Sequence, residues 1–327
     1  MILVTGASGH VGNVLVRELI ARRKRVRALV LPGEACPSLD GLPIERVEGN
    51  VLDPISLERA MQGVEFVYHL AGIISIVPGA EALMRRVNVE GVRNVARAAL
   101  QAGVRRMVHV SSIHAFKRLP LGHTIDETTP LAPDSPAGAY DRTKAEGTLA
   151  LLEVVKEGLD AVIACPTGVI GPYDFLQSEM GQTILGFARK KPHVLVDGAY
   201  DFVDVRDVAH GLILACEKGR RGEIYILSGN RVHLAQIRTI VQELVGIQSE
   251  LLILPRGLAK AAAALMNYIY RWTKTTPSFT TYALQTVSDN SCFSCQKARR
   301  ELGYRPRPLH TTIADTLEWW KRRSQSE

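Results

Sequence analysis

The sequence predicts an α/β fold: a doubly wound parallel sheet with helices on both faces, together with a smaller and mostly C-terminal lobe. The first half of the chain alternates short apolar runs with longer segments of helical periodicity, which is the pattern of repeated βαβ units. The apolar runs are continuous, as expected for strands that are buried on both sides. The length of 327 residues, against about 150 for a typical domain, accommodates one large α/β unit and an appended lobe.

The individual elements follow from the periodicity of the apolar residues and from the Gly and Pro residues that bound them. In chain order they are strand 2–5, helix 11–21, strand 26–31, strand 44–48, strand 66–70, helix 84–101, strand 107–111, helix 140–157 and strand 160–165. The rhythm loosens after residue 167, although 224–227 has the composition of a strand that returns to the sheet. We therefore expect a first unit at 1–170, with returning elements around 200–230, and a second lobe mainly at 171–327.

Composition and charge argue against several classes of protein. Apolar residues make up 46% of the chain and charged residues 22%, which disfavours collagenous, disordered and disulfide-stapled proteins. The five cysteines are scattered, and their spacing predicts no metal site. The net charge of +7 comes from short, separated basic clusters placed mostly where helices should end, so we expect no nucleic-acid partner. We also expect no membrane span and, because the start has no signal-like segment, a cytoplasmic location.

The segment 5–12 (TGASGHVG) joins the first strand to the first helix. A loop that receives a dinucleotide needs glycine for a tight turn, for close approach of the backbone to the pyrophosphate, and for packing of the helix on the strand. The helix N-terminus then offers free N–H groups to the anion. The sequence thus predicts that 1–170 is a dinucleotide-binding domain. The contacts expected from this loop are those of Gly6, Ser8, Gly9, His10, Val11 and Gly12.

The GxxGxxG spacing after a threonine resembles the glycine loop of the short-chain dehydrogenase/reductase superfamily. Three further segments continue the resemblance: 49–53 (GNVLD) is similar to the adenine-contacting segment, 69–72 (HLAG) to the strand end that lines the cofactor, and 88–91 (NVEG) to the NVxG segment of the extended subfamily. Asn50 stands where that family usually has Asp. The resemblance covers nearly the whole chain and implies a Rossmann fold with bound NAD(P)(H). It adds the following expected cofactor contacts: Asn50, Val51, Leu70, Ala71, Gly72, Asn88, Ser111, Tyr140, Lys144, Pro166, Thr167 and Gly168.

The end of the second strand should decide between NAD and NADP. An acidic residue there would bind the ribose 2′-hydroxyl of NAD, and a cation would bind the 2′-phosphate of NADP. Leu31 at the strand end offers neither group. Glu34 could reach a ribose hydroxyl, whereas Arg22 or Arg27 could serve a phosphate, so the sequence leaves both cofactor forms open.

Tyr140 and Lys144 form a YxxxK pair, which places the phenol and the ammonium on one face of a helix. Tyr270 and Lys274 have the same spacing. The first pair is favoured because its helix follows the strand that leads into Ser111 and Ser112 and so passes the carboxyl edge of the sheet, where α/β folds bind ligands.

The catalytic hypothesis assigns one role to each of three side chains. The Lys144 cation, with an oxidised nicotinamide, should favour phenolate and make Tyr140 a general acid/base. Ser112 should donate a hydrogen bond to the substrate oxygen. The family resemblance implies the same roles, selects Ser112 over Ser111 as catalytic, and places Ser111 nearer the cofactor. His114, two residues further on, could contact the substrate, although loop histidines are more often packed or solvated.

The segment 165–172 (CPTGVIGP) resembles dihydroflavonol-reductase-like and 3β-hydroxysteroid-dehydrogenase-like members more than sugar-nucleotide epimerases. We therefore expect an NAD(P)-dependent oxidoreductase that transfers hydride to or from a carbonyl or hydroxyl carbon of a largely apolar small molecule. Apolar side chains expected in the pocket are Tyr173, Phe175, Leu176, Met180 and Phe202. Two alternatives stay open: a nucleotide-sugar epimerase or dehydratase with bound NAD, and a non-catalytic dinucleotide-binding sensor. Similar proteins often dimerise through helices equivalent to 84–101 and 140–157, which implies a homodimer.

Overall fold

The computed structural model describes residues 1–74, 79–255, 257 and 290–326. The described strands are β1 (Ile2–Thr5), β2 (Val26–Val30), β3 (Glu45–Glu48), β4 (Phe66–His69), β5 (Arg106–Val110), β6 (Ala161–Pro166), β7 (Gly168–Ile170), β8 (His193–Val196), β9 (Ala199–Asp204), β10 (Ile224–Leu227), β11 (Asn230–His233) and β12 (Leu251–Leu254). The described α-helices are α1 (His10–Ala21), α2 (Pro54–Met61), α3 (Glu81–Arg85), α4 (Val92–Gln101), α5 (Ala139–Glu157), α6 (Glu179–Phe187), α7 (Val205–Lys218), α8 (Leu234–Val245), α9 (Gln296–Leu302) and α10 (Leu309–Ser326). Short 3₁₀ turns lie at Pro37–Leu39 and Ile113–Ala115.

Seven of the described strands form one parallel sheet in the order β10-β6-β5-β4-β1-β2-β3. β1 pairs with β2 on one side and with β4 on the other, so the chain reverses its winding direction at β1. This arrangement confirms the doubly wound α/β fold. It also creates a crevice outside the carboxyl ends of β1 and β4, which is where such sheets bind ligands.

Each face of the sheet carries its own apolar core. Leu3 of β1 packs into one core with Val95 of α4 and Leu151 of α5, whereas the next residue, Val4, packs into the other core with Leu15 of α1. Because successive side chains of a strand point to opposite faces, both must be apolar when helices cover both faces. The continuous apolar runs of the sequence follow from this geometry.

The remaining described strands form a second layer beside the carboxyl edge. β7 and β11 flank β9 in a three-stranded sheet, and β8 pairs with β12. An ion pair between Asp207 of α7 and Arg307, with Nη2 and Oδ1 2.8 Å apart, ties the C-terminal part of the chain to the main sheet. Asp207 is thus a structural ion-pair partner. In the part of the chain that the structure describes, every helix is too short or too polar to span a bilayer.

One long helix was expected at 84–101, but the structure divides it. α3 leads into a π-helical segment, Arg86–Gly91, before α4 begins. Inside this segment the buried Asn88 side chain accepts a hydrogen bond from the Ile73 amide (2.8 Å) and donates to the Ile73 carbonyl (2.9 Å) and the Thr143 hydroxyl (3.2 Å). π-helical segments occur often at functional sites. Here the segment positions the Asn88 side-chain amide so that it links the loop after β4 to α5.

Gly147 allows α5 to approach this π-helical segment. A Cβ atom at Gly147 would lie 2.0 Å from the Asn88 carbonyl oxygen, which is backbone and cannot move aside independently. We expect Gly147→Ala to lower the free energy of unfolding by about 1–3 kcal/mol or more through overpacking. Gly186→Ala on α6 is the control, because open space surrounds Gly186, and it should be neutral or slightly stabilising. Urea unfolding of both variants checks this, and equal midpoints would contradict the packing argument.

Candidate active site

The glycine loop is held against the end of β4. Gly6 has φ +67°, and a Cβ atom there would lie 2.6 Å from the Ala71 amide nitrogen. A Cβ atom at Gly12 would lie 2.0 Å from the Gly6 carbonyl oxygen. Gly9, the N-cap of α1, makes no side-chain cap, so the first N–H groups of that helix remain open to an anion. The crowded turn and the uncapped helix fit a dinucleotide pyrophosphate.

The side chains around this loop are largely committed within the protein. The His10 imidazole contacts the Pro172 carbonyl oxygen (Nε2 to O, 2.9 Å), and burial lowers the pKa of His10. The Ser8 hydroxyl donates to Glu34 (3.0 Å). The Asn50 side chain accepts from the Leu52 amide (2.9 Å) and so shapes the turn after β3. Any cofactor contact made by these residues would therefore involve backbone atoms or an exchange of these bonds.

The ends of β4 and α5 meet at the same place. Thr5 Oγ1 lies 2.7 Å from His69 Nδ1 and accepts from the Ala71 amide (3.2 Å), which fixes the loop that contains Leu70, Ala71 and Gly72. A Cβ atom at Gly72 would lie 3.3 Å from Lys144 Nζ. The segment that follows β4 therefore contacts the glycine loop at Ala71 and lies next to Lys144 of α5 at Gly72.

Tyr140, Lys144 and Ser112 converge at the carboxyl edge. Lys144 Nζ donates to the Val110 carbonyl (3.2 Å) and lies 6.0 Å from the centroid of the Tyr140 ring. Ser112 accepts from the His114 amide (3.2 Å) and lies close enough to the Tyr140 phenol to lower its pKa. The three side chains are all buried, so substrate would displace little water from them.

The pKa of Tyr140 differs from the sequence expectation, which was that the Lys144 cation would favour the phenolate. Burial raises the pKa of Tyr140 to about 12, and the hydrogen bond from Ser112 opposes that rise only in part. Burial also lowers the pKa of Lys144 to about 8, because the cation loses its hydration. The protein groups alone therefore favour the neutral phenol, and a bound oxidised nicotinamide is the remaining source of positive charge that could favour phenolate.

Other predicted cofactor contacts occupy structural positions. The Ser111 hydroxyl lies 2.7 Å from that of Thr148, and the Thr167 hydroxyl donates to Asp201 (2.6 Å); all four residues are buried. Four more of the predicted contacts also have structural roles. The Val51 side chain is buried against Gly91, and the Asn88 amide bonds Ile73 and Thr143. Pro166 ends β6, and Gly168 packs on Tyr200 and Phe202. The positions surround the crevice, and direct contact with a cofactor stays a prediction for each of them.

The end of β2 presents an acid to the crevice. The Glu34 carboxylate accepts from Ser8 of the glycine loop and from the Leu31 amide (3.2 Å). Arg27 instead donates to Glu45 and to the carbonyls of residues 60 and 62. Arg22, at the C-terminal end of α1, lies 3.8 Å from Glu217 and so at the opposite edge of the sheet.

A buried polar cluster beside Tyr140 was missed by the sequence reasoning. The fully buried Asp141 pairs with Arg118 (2.9 Å), and His114 Nδ1 lies 3.6 Å from its other oxygen. His114 Nε2 lies 3.0 Å from the Tyr200 hydroxyl. The adjacency of Asp141 to Tyr140 was the available signal, but nothing in the chain order linked it to residue 200.

The apolar pocket residues predicted from sequence separate into two places. Phe202 packs against Tyr200, with ring centroids 5.5 Å apart, near the cluster just described. Tyr173 and Phe175 instead pack against Trp319 of α10, at 5.9 and 5.2 Å. Leu176 is 69% exposed, and Met180 is partly buried against the core. A different cleft, next to His114, is lined by the apolar side chains of Ile113, Phe116, Ile125 and Phe293 and by the polar side chains of Tyr200, Arg118 and Asn290.

Two further observations complete the site. Tyr270 and Lys274 lie outside the described residues. Among the residues that are described, no group of three or more His, Cys, Asp or Glu side chains could hold a metal ion.

Known proteins resemble this chain in both sequence and structure. The sequence model of the NAD dependent epimerase/dehydratase family matches residues 2–228 of this chain. Sterol demethylase protein B of Methylococcus capsulatus is 37% identical over 98% of this chain and 98% of its own length. The 4-hydroxy-2-methyl-3-oxo-4-farnesyl-3,4-dihydroquinoline-1-oxide ketoreductase of Stigmatella aurantiaca is 33% identical over 96% of this chain and 94% of its own. The crystal structure of gox2253 is 32% identical, with a TM-score of 0.86 over 99% of each chain.

The buried Lys144 should make stability depend on pH. Its pKa falls from 10.5 to about 8 on folding, so between these values the unfolded chain binds more protons and the free energy of unfolding rises with pH. One such proton gives a slope of about 1.4 kcal/mol per pH unit. Lys144→Met lacks this slope, so its stability relative to the parent should decline as pH rises from 8 to 10. Urea unfolding at pH 7, 8.5 and 10 checks this, and a pH-independent difference between the two proteins would contradict it.

Proposed function

Because the chain belongs to the NAD-dependent epimerase/dehydratase family, we propose that this enzyme is a dehydrogenase or reductase that interconverts a secondary alcohol and a ketone on a large apolar molecule. The observation that carries the proposal is the convergence of Ser112, Tyr140 and Lys144 at the carboxyl edge of the sheet, next to the glycine loop. A nicotinamide cofactor, held at the glycine loop, would supply or accept the hydride. The protein groups have to bind the substrate oxygen and move one proton.

Tyr140 is proposed as the group that moves this proton. With its pKa raised by burial, the phenol is protonated at rest and is ready to donate to the oxygen of a ketone. In the oxidative direction it accepts the hydroxyl proton, and the nearby Lys144 cation stabilises the phenolate that forms. Ser112 donates a second hydrogen bond to the same oxygen and lowers the energy of the charge that develops there.

The substrate class is proposed from the cleft and from the relatives. The cleft beside His114 offers apolar contacts from Ile113, Phe116, Ile125 and Phe293, and its remaining lining is polar. Two of the relatives compared above are named for a sterol and for a farnesylated quinoline, which are both large, apolar and polycyclic. We therefore propose a polycyclic alcohol or ketone, with 3β-hydroxysteroids and 3-ketosteroids as the first compounds to test.

Glu34 supports a preference for NAD over NADP. Its carboxylate is anchored by Ser8 and the Leu31 amide, so it is positioned to accept from a ribose hydroxyl and to repel a 2′-phosphate. Both arginines that could have bound the phosphate are engaged elsewhere. NAD is therefore the proposed form of the cofactor.

Tyr140→Phe tests the proposed function. With a 3β-hydroxysteroid and NAD⁺, or a 3-ketosteroid and NADH, kcat/KM should fall by about 10²–10⁴-fold because the proton-transferring hydroxyl is lost. Calorimetry should show nearly unchanged NAD⁺ affinity. Tyr225→Phe is the matched control, since that buried phenol donates to Glu301 (3.0 Å) at the core and should keep its activity. Parent-like turnover by Tyr140→Phe would overturn the assignment.

Glu34→Gln tests the cofactor preference. The parent protein should bind NAD⁺ more tightly than NADP⁺, and the variant should lose about tenfold or more of that discrimination, since a hydrogen bond to a charged group contributes about 1.5–3 kcal/mol. Glu58→Gln, an exposed substitution on α2, should leave the ratio unchanged. Calorimetric titration with both dinucleotides measures it. A parent protein that prefers NADP⁺ would refute the role given to Glu34.

A further inference from the structure

Three polar side chains next to Tyr140 form a continuous chain of contacts. Asp141 is fully buried, His114 Nδ1 lies 3.6 Å from its Oδ1 atom, and His114 Nε2 lies 3.0 Å from the Tyr200 hydroxyl. These residues come from α5, the 3₁₀ turn after β5, and β9. The order is carboxylate, imidazole, hydroxyl, which recurs where an imidazole must take up and return a proton.

The charges around His114 define its protonation pattern. Burial by itself would raise the pKa of Asp141, but the contacts with His114 and Arg118 outweigh burial and lower that pKa. A carboxylate only accepts hydrogen bonds, so the proton of a neutral His114 belongs on Nδ1 and Nε2 accepts from Tyr200. Burial raises the pKa of Tyr200 far above its usual value, which keeps that hydroxyl protonated at rest.

The chain of contacts opens toward the proposed substrate cleft. His114 and Tyr200 both line this cleft together with Phe116 and Phe293. The His114 ring also packs edge-on against the Tyr140 ring, with centroids 5.7 Å apart. A ketone whose oxygen is bound by Tyr140 and Ser112, and whose apolar body occupies this cleft, would present its neighbouring carbon to the imidazole and the second phenol.

We propose that Tyr200, His114 and Asp141 are a second acid/base system, which removes and returns a proton at the carbon next to the substrate carbonyl. The C–H bond breaks, its proton passes to the Tyr200 oxygen, and the proton of Tyr200 passes to His114 Nε2. The electron pair of the C–H bond becomes the C=C bond of an enolate, whose charge rests on the oxygen held by Ser112 and Tyr140. The reverse step restores the ketone, and no oxidant or reductant is consumed.

The electrostatic setting suits this step. An imidazolium at His114 forms beside the Asp141 carboxylate, so positive charge appears where negative charge is already buried. The two donors that bind the carbonyl oxygen for reduction also stabilise an enolate oxygen, since both are oxyanions. The ligand class is an enolisable apolar ketone, and this inference rests on the proposed function for the placement of that ketone.

Hydrogen–deuterium exchange separates this activity from hydride transfer. The full-length protein is incubated in D₂O with NAD⁺ and 5α-androstan-3-one, a pairing in which the ketone cannot be reduced, and mass spectrometry follows deuterium beside the carbonyl. Reduction of the same ketone by NADH is measured in parallel. The parent protein should accelerate exchange over buffer. His114→Gln and Tyr200→Phe should each lower exchange by about a hundredfold, and at least tenfold more than they lower reduction.

His210→Gln is the matched control, because His210 is exposed on α7 and should leave both rates unchanged. Melting curves verify that each variant is folded. Reduction by the parent protein without accelerated exchange would overturn this inference alone, as would variants that lose exchange and reduction in equal proportion. Exchange without any hydride transfer would overturn the proposed redox function and leave the acid/base system standing. If the parent shows neither activity, both proposals fall.

Discussion

The contact between the glycine loop and the end of β4 is the constraint on which the rest of the site depends. Gly6 adopts a left-handed conformation with no room for a side chain above the Ala71 amide, and the Thr5 hydroxyl bonds both that amide and His69. This contact brings the start of α1 and the end of β4 together at the point where the sheet reverses direction. The glycine loop and α5 can then share one crevice.

The crevice concentrates ionisable groups that burial destabilises. Lys144 is buried with a lowered pKa, Tyr140 with a raised one, and His69 and His109 stack with ring centroids 5.3 Å apart in a setting that keeps both imidazoles neutral. Such groups reduce stability, and the folded protein tolerates them because two large apolar cores lie on either side of the sheet. Asp141 gains compensating cationic contact from Arg118. Several buried groups with perturbed pKa values therefore lie together at this edge.

The second layer is tied to the glycine loop through the start of α1. His10 contacts the Pro172 carbonyl, Asn13 donates to the Tyr173 carbonyl (3.1 Å), and the Arg17 guanidinium lies 5.1 Å from the centroid of the Tyr173 ring. Tyr173 itself has φ +65°, a conformation that costs energy for a residue with a side chain. Tyr173, which the sequence predicted to line the substrate pocket, thus joins α1 to α10.

The sequence by itself determined the sheet, its winding and the positions of Ser112, Tyr140 and Lys144, because these depend on local periodicity, on glycines at fixed spacing and on an i, i+4 relation within one helix. It could not show that Asn88 divides the helix expected at 84–101, nor that burial raises the pKa of Tyr140 despite the nearby lysine. It also could not join Asp141 to His114 and Tyr200. Those features arise from contacts between segments far apart in the chain, where the fold alone decides which groups lose water and which partners replace it.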